Sequence, residues 1–364
     1  MQAVVLVGGE GTRLRPLTLT RPKPALPLVD RPFIRFMVDW LSAHGVSDVV
    51  MACGFRPEGL REALGDGIPG GPSITYVEEP EPLGTAGPVR LAADRDLLGD
   101  RFLVLNGDVL TDLDLTEHMR RHADRGARAS LALYPVDDPT SYGLVRKGED
   151  GAVTEFLEKP DQAEIDTDEV NAGAYVLERS VVDLIPPGRS VSIEREVFPQ
   201  LVGEGLFGLR LDGYWMDIGT PERYRQANWD ILLGRARTEV VARVDSDGLG
   251  IDEHADVDPG ATVQGPALIE SGSHVEANAT VGPYAVVAAD CEVGPGSTVV
   301  GSVLMPGCTV AADARVRDAI LGPGVEVGEG AVIDDGAVVG EGARIAPGAR
   351  VESDARVEPG MVSP

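Results

Sequence analysis

The stretch Ala3-Val4-Val5-Leu6-Val7-Gly8-Gly9-Glu10-Gly11-Thr12-Arg13-Leu14-Arg15-Pro16 opens the chain and decides the class of fold around it. A short apolar run rich in β-branched residues and closed by glycines reads as a buried strand. Its backbone then turns where a ligand can come close. Glycine N–H groups in such a turn hold phosphate oxygens, and Arg13 and Lys23 bring positive charge to the same loop.

Two other phosphate loops are excluded. Gly9-x-Gly11 begins a G-x-G-x-x-G pattern, but Leu14 stands where the third glycine belongs. A dinucleotide fingerprint also enters a helix at once. Here Pro16, Pro22, Pro24 and Pro27 keep the chain out of helix until about Pro32. The Gly-Lys-Ser/Thr of a P-loop is absent.

Outward from this loop, residues 1–235 alternate strand-like and helix-like runs. Strands are expected at 3–7, 48–53, 73–77, 102–106, 129–134, 152–157 and 170–177. Helices are expected at 32–44, 85–97, 114–125, 193–203 and 220–233. The alternation predicts an α/β domain with a Rossmann-like, mostly parallel sheet, whose ligands bind beyond the carboxyl ends of the strands. The loops after 3–7 and 102–106 carry the glycine signature and Asn106-Gly107-Asp108, as that rule requires.

From Ile251 the period changes. Ile251, Val257, Val263, Ile269, Val275, Val281, Val287, Val293 and Val299 recur every six residues. After a five-residue step come Leu304, Val310 and Val316, and after a second one Leu321, Val327, Ile333, Val339, Ile345, Val351 and Val357. One inward aliphatic every six residues is the hexapeptide pattern of a left-handed parallel β-helix, three hexads to a coil. These 19 hexads make about six coils, with open ends that need covering. The expected domains are 1–235, a linker over 236–250, and the β-helix over 251–362.

Composition sharpens the reading. Of 32 Lys plus Arg, only Lys23, Lys147 and Lys159 are lysine, so a lysine that persists marks a place for a compact ammonium rather than a planar fork. Lys147 reads as an ordinary turn residue. The formal charge of −27 argues against general nucleic-acid binding. It leaves a phosphorylated substrate open, because Arg13 to Arg35 carries six cations and one acid. Cys53, Cys291 and Cys308 show no disulfide or zinc spacing, which fits a reducing cytoplasm. No apolar run approaches 18 residues, and the start of the chain reads as a strand, so neither a signal peptide nor a membrane partner is expected.

The glycine loop, with Pro22-Lys23-Pro24, Glu158-Lys159-Pro160 and Trp215-Met216-Asp217-Ile218-Gly219, resembles the signatures of the sugar-phosphate nucleotidyltransferases. These enzymes join a nucleoside triphosphate to a sugar 1-phosphate and release pyrophosphate. The resemblance covers the whole chain, repeats included. It implies that Asp108 and Asp217 hold one Mg²⁺ and that Arg13 and Lys23 contact the triphosphate. It assigns Leu6, Gly8, Gly9, Gly11, Thr12, Gly84 and Thr85 to the nucleotide. Asn106, Gly143, Glu158, Lys159 and Asn171 fall to the sugar phosphate. A hard cation with one or two carboxylates suits triphosphate chemistry. Taken alone, Asp108 would equally cap a turn and Asp217 pair with an arginine. A homo-oligomer is expected, with the repeats serving stability and subunit contact.

Glu79, five residues before Gly84, matches the family's base-reading position. A carboxylate accepts the adjacent N1–H and N2–H donors of guanine, whereas uracil or thymine wants an amide. GTP is therefore the expected triphosphate. The resemblance implies mannose 1-phosphate as the sugar, with another base, or a glucose, heptose or cyclitol phosphate, as the alternative. A non-catalytic nucleotide-sugar sensor would have lost motif residues that are all present here. His118 and His122, four apart with Arg120 and Arg121 between, read as a solvated helix face. His254 and His274 lie in repeats too free of insertions for acyl transfer.

Overall fold

The computed structural model describes residues 1–54, 57–158 and 165–363. Chain contacts divide it into two compact units, residues 1–9 with 34–215 and residues 10–33 with 216–364.

The first unit is built on β1 (Gln2–Leu6), α1 (Phe33–Ala43), β2 (Asp48–Cys53), α2 (Pro57–Leu64), β3 (Ser73–Glu78), α3 (Gly87–Asp94), β4 (Arg101–Asn106), α4 (Leu115–Asp124), β5 (Ala129–Pro135), β6 (Gly143–Lys147), β7 (Val153–Glu158), β8 (Glu169–Glu178) and β9 (Leu206–Arg210). β1 lies between β2 and β4, parallel to both, and β3 is parallel to β2. β8 runs antiparallel to β4, β5 and β6, and β9 parallel to β5. The chain winds outward from β1 through β2 to β3, then returns with β4 to the other side of β1. That reversal makes the β1/β4 pair a topological switch point, where crevices open beyond strand ends.

Helix α1 starts just after Pro32, and its apolar side buries Ile34, Met37, Val38 and Leu41 against the sheet. Gly45, at φ 77°, ends it. Gly45 N–H donates to Ser42 and Val46 N–H to Leu41, the paired bonds of a Schellman stop.

Several expectations are corrected. The run 193–203 is no α-helix: a π turn over Ile193–Val197 passes into a 3₁₀ turn over Phe198–Leu201. Pro199 has no N–H with which to carry an α ladder through. Helix α2 and strands β6 and β9 escaped the reading, their apolar runs being short and interrupted. Lys147 ends strand β6, where its ammonium pairs with Glu169.

The His118 and His122 face is not solvated. Both rings are fully buried, since α4 turns that side onto β5. Ser130 Oγ lies 3.0 Å from His118 Nε2 and 2.8 Å from His122 Nδ1, and His122 Nε2 lies 3.1 Å from Glu178. Burial drives the His118 pKa down to about 3, with help from neighbouring His122 and Arg121. An unfolded histidine titrates near 6.5. Stability is therefore full above that pH and falls as pH drops from 6.5 towards 3, by at most about 1.4 kcal/mol per unit. His118→Gln, which can still reach Ser130, should flatten the acid limb of Tm against pH. An unchanged limb would show that this imidazole is not the titrating group.

In the second unit α5 (Pro221–Leu232) starts from Thr220, whose hydroxyl accepts from Arg223 N–H. Three parallel sheets of seven, seven and six strands follow, from Leu249–Ile251 to Val362–Ser363. Successive coils pair 18 residues apart, as Ile269 with Val287, but 17 apart at the two five-residue steps, as Val287 with Leu304 and Leu304 with Leu321. The inward aliphatics from Ile269 to Val357 are buried, whereas Ile251, on the first coil, is 46% exposed. A terminal coil has a neighbour on one side only. At several corners an aspartate at positive φ leans over a glycine of the coil below. A Cβ on Gly272 or Gly336 would strike Asp290 or Asp354.

Two of the solenoid's outer faces differ. On one, Leu268, Val286, Val303, Ile320 and Val338 point outward yet are buried. The equivalent positions of a second sheet, His274, Glu292, Glu326 and Arg344, are polar and exposed.

Candidate active site

In the first unit the ends of β1 and β4 adjoin. Leu6 ends β1 and pairs with Asn106 at the end of β4. Gly107 N–H donates to the Leu6 carbonyl, and a Cβ on Gly107 would lie 2.5 Å from the Val7 side chain. Asn-Gly-Asp thus needs its glycine because the β1 backbone is already there. Asp108, half-buried, follows in the turn. Gly8 faces Glu79, whose Oε1 would sit 3.2 Å from a Cβ at that position, while Gly9 has open space around it.

Glu79 Oε2 accepts the Leu83 N–H at 2.8 Å. Burial raises its pKa above the usual carboxylate range, and that hydrogen bond pulls the other way. One oxygen therefore already closes the 79–83 loop. The segment from Leu83 to Ala86 zips onto 191–193: Val191 N–H donates to the Leu83 carbonyl and Ala86 N–H to the Val191 carbonyl. Gly84, at φ 74°, has no room for a Cβ beside Val191. The Thr85 hydroxyl donates to Glu194 at 2.7 Å and accepts from Ile193 N–H. Its position serves the loop as well as any ligand.

Gly143 pairs with Glu158 across β6 and β7, and Leu144 with Val170 on β8. Three of the expected sugar residues, Gly143, Glu158 and Asn171, thus come together on neighbouring strands. Lys159 lies outside the described residues. A register shift between Asn171 and Tyr175 bulges β8, with Gly173 at φ 71° against the Asn106 side chain. Asn171 Oδ1 accepts from Gly173 N–H, and its amide donates to the Tyr175 hydroxyl at 2.8 Å. Tyr175 in turn donates to Glu194 at 3.2 Å.

Glu194 is the residue that sequence reasoning missed. Its carboxylate accepts from Thr85, Ser192 and Tyr175, joining the loop expected at the nucleotide to the strand expected at the sugar. Inside a run read as ordinary helix it gave no signal. Trp215 opens the Trp-Met-Asp-Ile-Gly motif. It donates its indole N–H to the Ala172 carbonyl and packs on Tyr134 and Tyr142.

The second unit gathers the cations. Gly11, at φ 62°, accepts on its carbonyl from the Thr18 hydroxyl, and a Cβ there would press on Thr18 and Lys23. Thr12, Arg13 and Leu14 form a 3₁₀ turn pinned by buried Leu14. Around Asp217 stand Arg223 at 3.1 Å, buried Lys23 at 3.7 Å and Arg13 at 3.9 Å. Gly219 leaves the Arg13 guanidinium room beside Asp217, since a Cβ there would lie 2.5 Å from it and push that side chain aside. Asp217 does pair with an arginine through Oδ2. Its buried Oδ1 has no hydrogen-bond donor. A buried carboxylate oxygen that accepts no hydrogen bond and has the Lys23 ammonium 3.7 Å away fits a hard divalent ion carried in with phosphate oxygens. Arg223 was not anticipated; its signal was the Thr220-Pro221 helix start one turn ahead of it.

Residues 2–233 match the family model "Nucleotidyl transferase", and residues 263–360 match "GMPPB C-terminal domain". The mannose-1-phosphate guanylyltransferase of Mycobacterium tuberculosis is 38% identical over 86% of this chain and 82% of its own length. Mannose-1-phosphate guanylyltransferase 1 of Arabidopsis thaliana is 37% identical over 87% of this chain and 83% of its own. Among solved structures, a putative glucose-1-phosphate thymidylyltransferase from Bacillus anthracis, in complex with a sucrose, is 27% identical. It has a TM-score of 0.57 and covers 63% of this chain and 94% of its own. HddC from Yersinia pseudotuberculosis has a TM-score of 0.55 at 27% identity, over 63% of this chain and 99% of its own.

Proposed function

Because this chain belongs to the nucleotidyl transferase family, we propose that it joins GTP to mannose 1-phosphate, giving a nucleotide sugar and pyrophosphate. The observation that carries the chemistry is the convergence of Arg13, Lys23 and Arg223 on Asp217. The choice of substrates is supported by relatives named for that reaction, which align over more than four fifths of the chain.

A sugar 1-phosphate oxygen is ionised at neutral pH, so no protein base is needed to generate the nucleophile. The work is positioning, and stabilising charge on the α-phosphate and the leaving pyrophosphate. Arg13 and Lys23 bind and neutralise the triphosphate, and Arg223 holds Asp217 in orientation. Asp108 and Asp217 would hold Mg²⁺, which supplies electrostatic stabilisation of phosphate charge. Leu6, Gly8, Gly9, Gly11, Thr12, Gly84 and Thr85 line the nucleotide. Asn106, Gly143, Glu158, Lys159 and Asn171 take the sugar phosphate. Glu79 reads the base through Oε1 and the second lone pair of Oε2.

In this reading 1–235 is the catalytic domain, 236–250 a linker and 251–362 the repeat domain. Among the described residues no helix is long and apolar enough to cross a membrane. The three cysteines are free and buried, which agrees with a cytoplasmic enzyme. A homo-oligomer built on the repeats should scatter light as a multiple of 38.4 kDa; a monomer at assay concentration would refute it.

Pyrophosphate release across GTP, ATP, UTP and dTTP, each with mannose, glucose and heptose 1-phosphates, tests the function. The pair GTP and mannose 1-phosphate should give the highest kcat/KM. A preference for dTTP with glucose 1-phosphate would overturn the substrate choice, and no release from any pair would overturn the enzyme.

A further inference from the structure

Lys23 is carried by a loop that one of its neighbours ties to a residue 320 positions further along the chain. Two residues before it, the Arg21 guanidinium makes a two-pronged contact with Glu341, Nε to Oε2 at 3.4 Å and Nη2 to Oε1 at 3.3 Å. The backbone that presents Glu341 is fixed by the coils on either side. Gly342 N–H donates to Pro323 below, and Gly360 N–H donates to the Glu341 carbonyl above. Burial raises the Glu341 pKa, but hydrogen bonds from Thr20 and Arg21 more than offset it and leave the carboxyl below its ordinary range.

Helix α5, which carries Arg223, leans on the same solenoid. Arg225 donates to the Asp318 carbonyl and lies 3.6 Å from its carboxylate. Four residues on, Trp229 donates to the Tyr284 carbonyl and packs on its ring. Tyr284 and Asp318 precede the strands Ala285–Val287 and Ile320–Leu321. Glu341 follows Val338–Val339 of that same sheet. It is the sheet whose outward column, Val286, Val303, Ile320 and Val338, is buried. The loop bearing Lys23 and the helix bearing Arg223 are therefore both fastened at the edges of one solenoid face.

We propose that the β-helix is the jig of the phosphate site, and that Glu341 is a positioning residue acting through Arg21 on Lys23. A partly exposed ion pair adds little to global stability. Its value here lies in a placement that needs sub-ångström accuracy during phosphoryl-type transfer. The proposal rests on the nucleotidyl-transfer reading of the site.

The test is a double-mutant cycle on the full chain, assayed by pyrophosphate release. Glu341→Gln and Arg21→Ala should each lower kcat about 3- to 10-fold, with Tm within a degree or two of wild type. KM for the sugar phosphate should not move, and the double variant should be no slower than either single one. Additive losses, unchanged kcat, or losses that track a falling Tm would each overturn the positioning role. The wild type in the same assay keeps the two questions apart. Without its pyrophosphate release the function itself fails; with release and equally active variants, only the role of Glu341 fails.

Discussion

Asp217→Asn is expected to lower kcat by about 10²- to 10³-fold or more while the fold survives. The magnitude follows from what removing one preorganised electrostatic group costs at a charged transition state. Asparagine keeps an oxygen for Arg223, so the helix start is not disturbed. It removes the anion around which Arg13, Lys23 and Arg223 stand at 3.1 to 3.9 Å. It also removes the negative charge on an Oδ1 that no hydrogen bond satisfies. Cations relieved of their carboxylate bind the ground-state triphosphate at least as well as before. KM for GTP should therefore hold or fall as kcat collapses, the signature of an interaction made in the transition state. Asp108→Asn should match it in size. EDTA should abolish turnover of the wild type and added Mg²⁺ restore it. Near-normal turnover in either variant, at unchanged Tm, would remove the metal assignment.

Glu79→Gln is expected to lower kcat/KM for GTP by about 10- to 150-fold, since a hydrogen bond to a charged group contributes roughly 1.5–3 kcal/mol. Turnover with UTP or dTTP should hold or improve. The substitution separates base reading from loop building. Oε2 of Glu79 accepts the Leu83 N–H, and a glutamine carbonyl can still do so, so the 79–83 loop keeps its shape. A variant that weakened all triphosphates alike would show that Glu79 serves the loop and not the base. Burial raises its pKa, so the GTP preference of the wild type should also fade with falling pH, beginning above the range in which an ordinary carboxylate titrates. A preference independent of pH there would count against the role.

Local signals made much of this protein legible. The glycine-closed apolar run gave β1 and its loop, and Asn106-Gly107-Asp108 was placed at the end of β4 because a parallel sheet puts ligands there. The hexapeptide period, with both five-residue steps, was legible to the residue. Each repeat contacts only its neighbours, so the pattern is the fold. What failed was information spread over distance. His118 and His122 looked solvated because polarity was judged from flanking arginines, whereas the packing of α4 on β5 decides which side of the helix faces the core. Glu194 joins Thr85 to Tyr175 across 109 and 19 residues, and no local pattern marks such a bridge.

The sequence by itself determined the repeat architecture, most strands and helices of the first unit, and the side-chain types in the motifs proposed to hold phosphate and a hard cation. These follow from periodicity and side-chain chemistry, which are local properties. Only the tertiary structure decided that three cations share Asp217, that Glu79 spends one oxygen on its own loop, and that Arg21 is held by Glu341 from 320 residues away. Those are questions of which groups meet and which lone pairs remain. Meeting is set by the packing of whole elements, and no single stretch of chain encodes it.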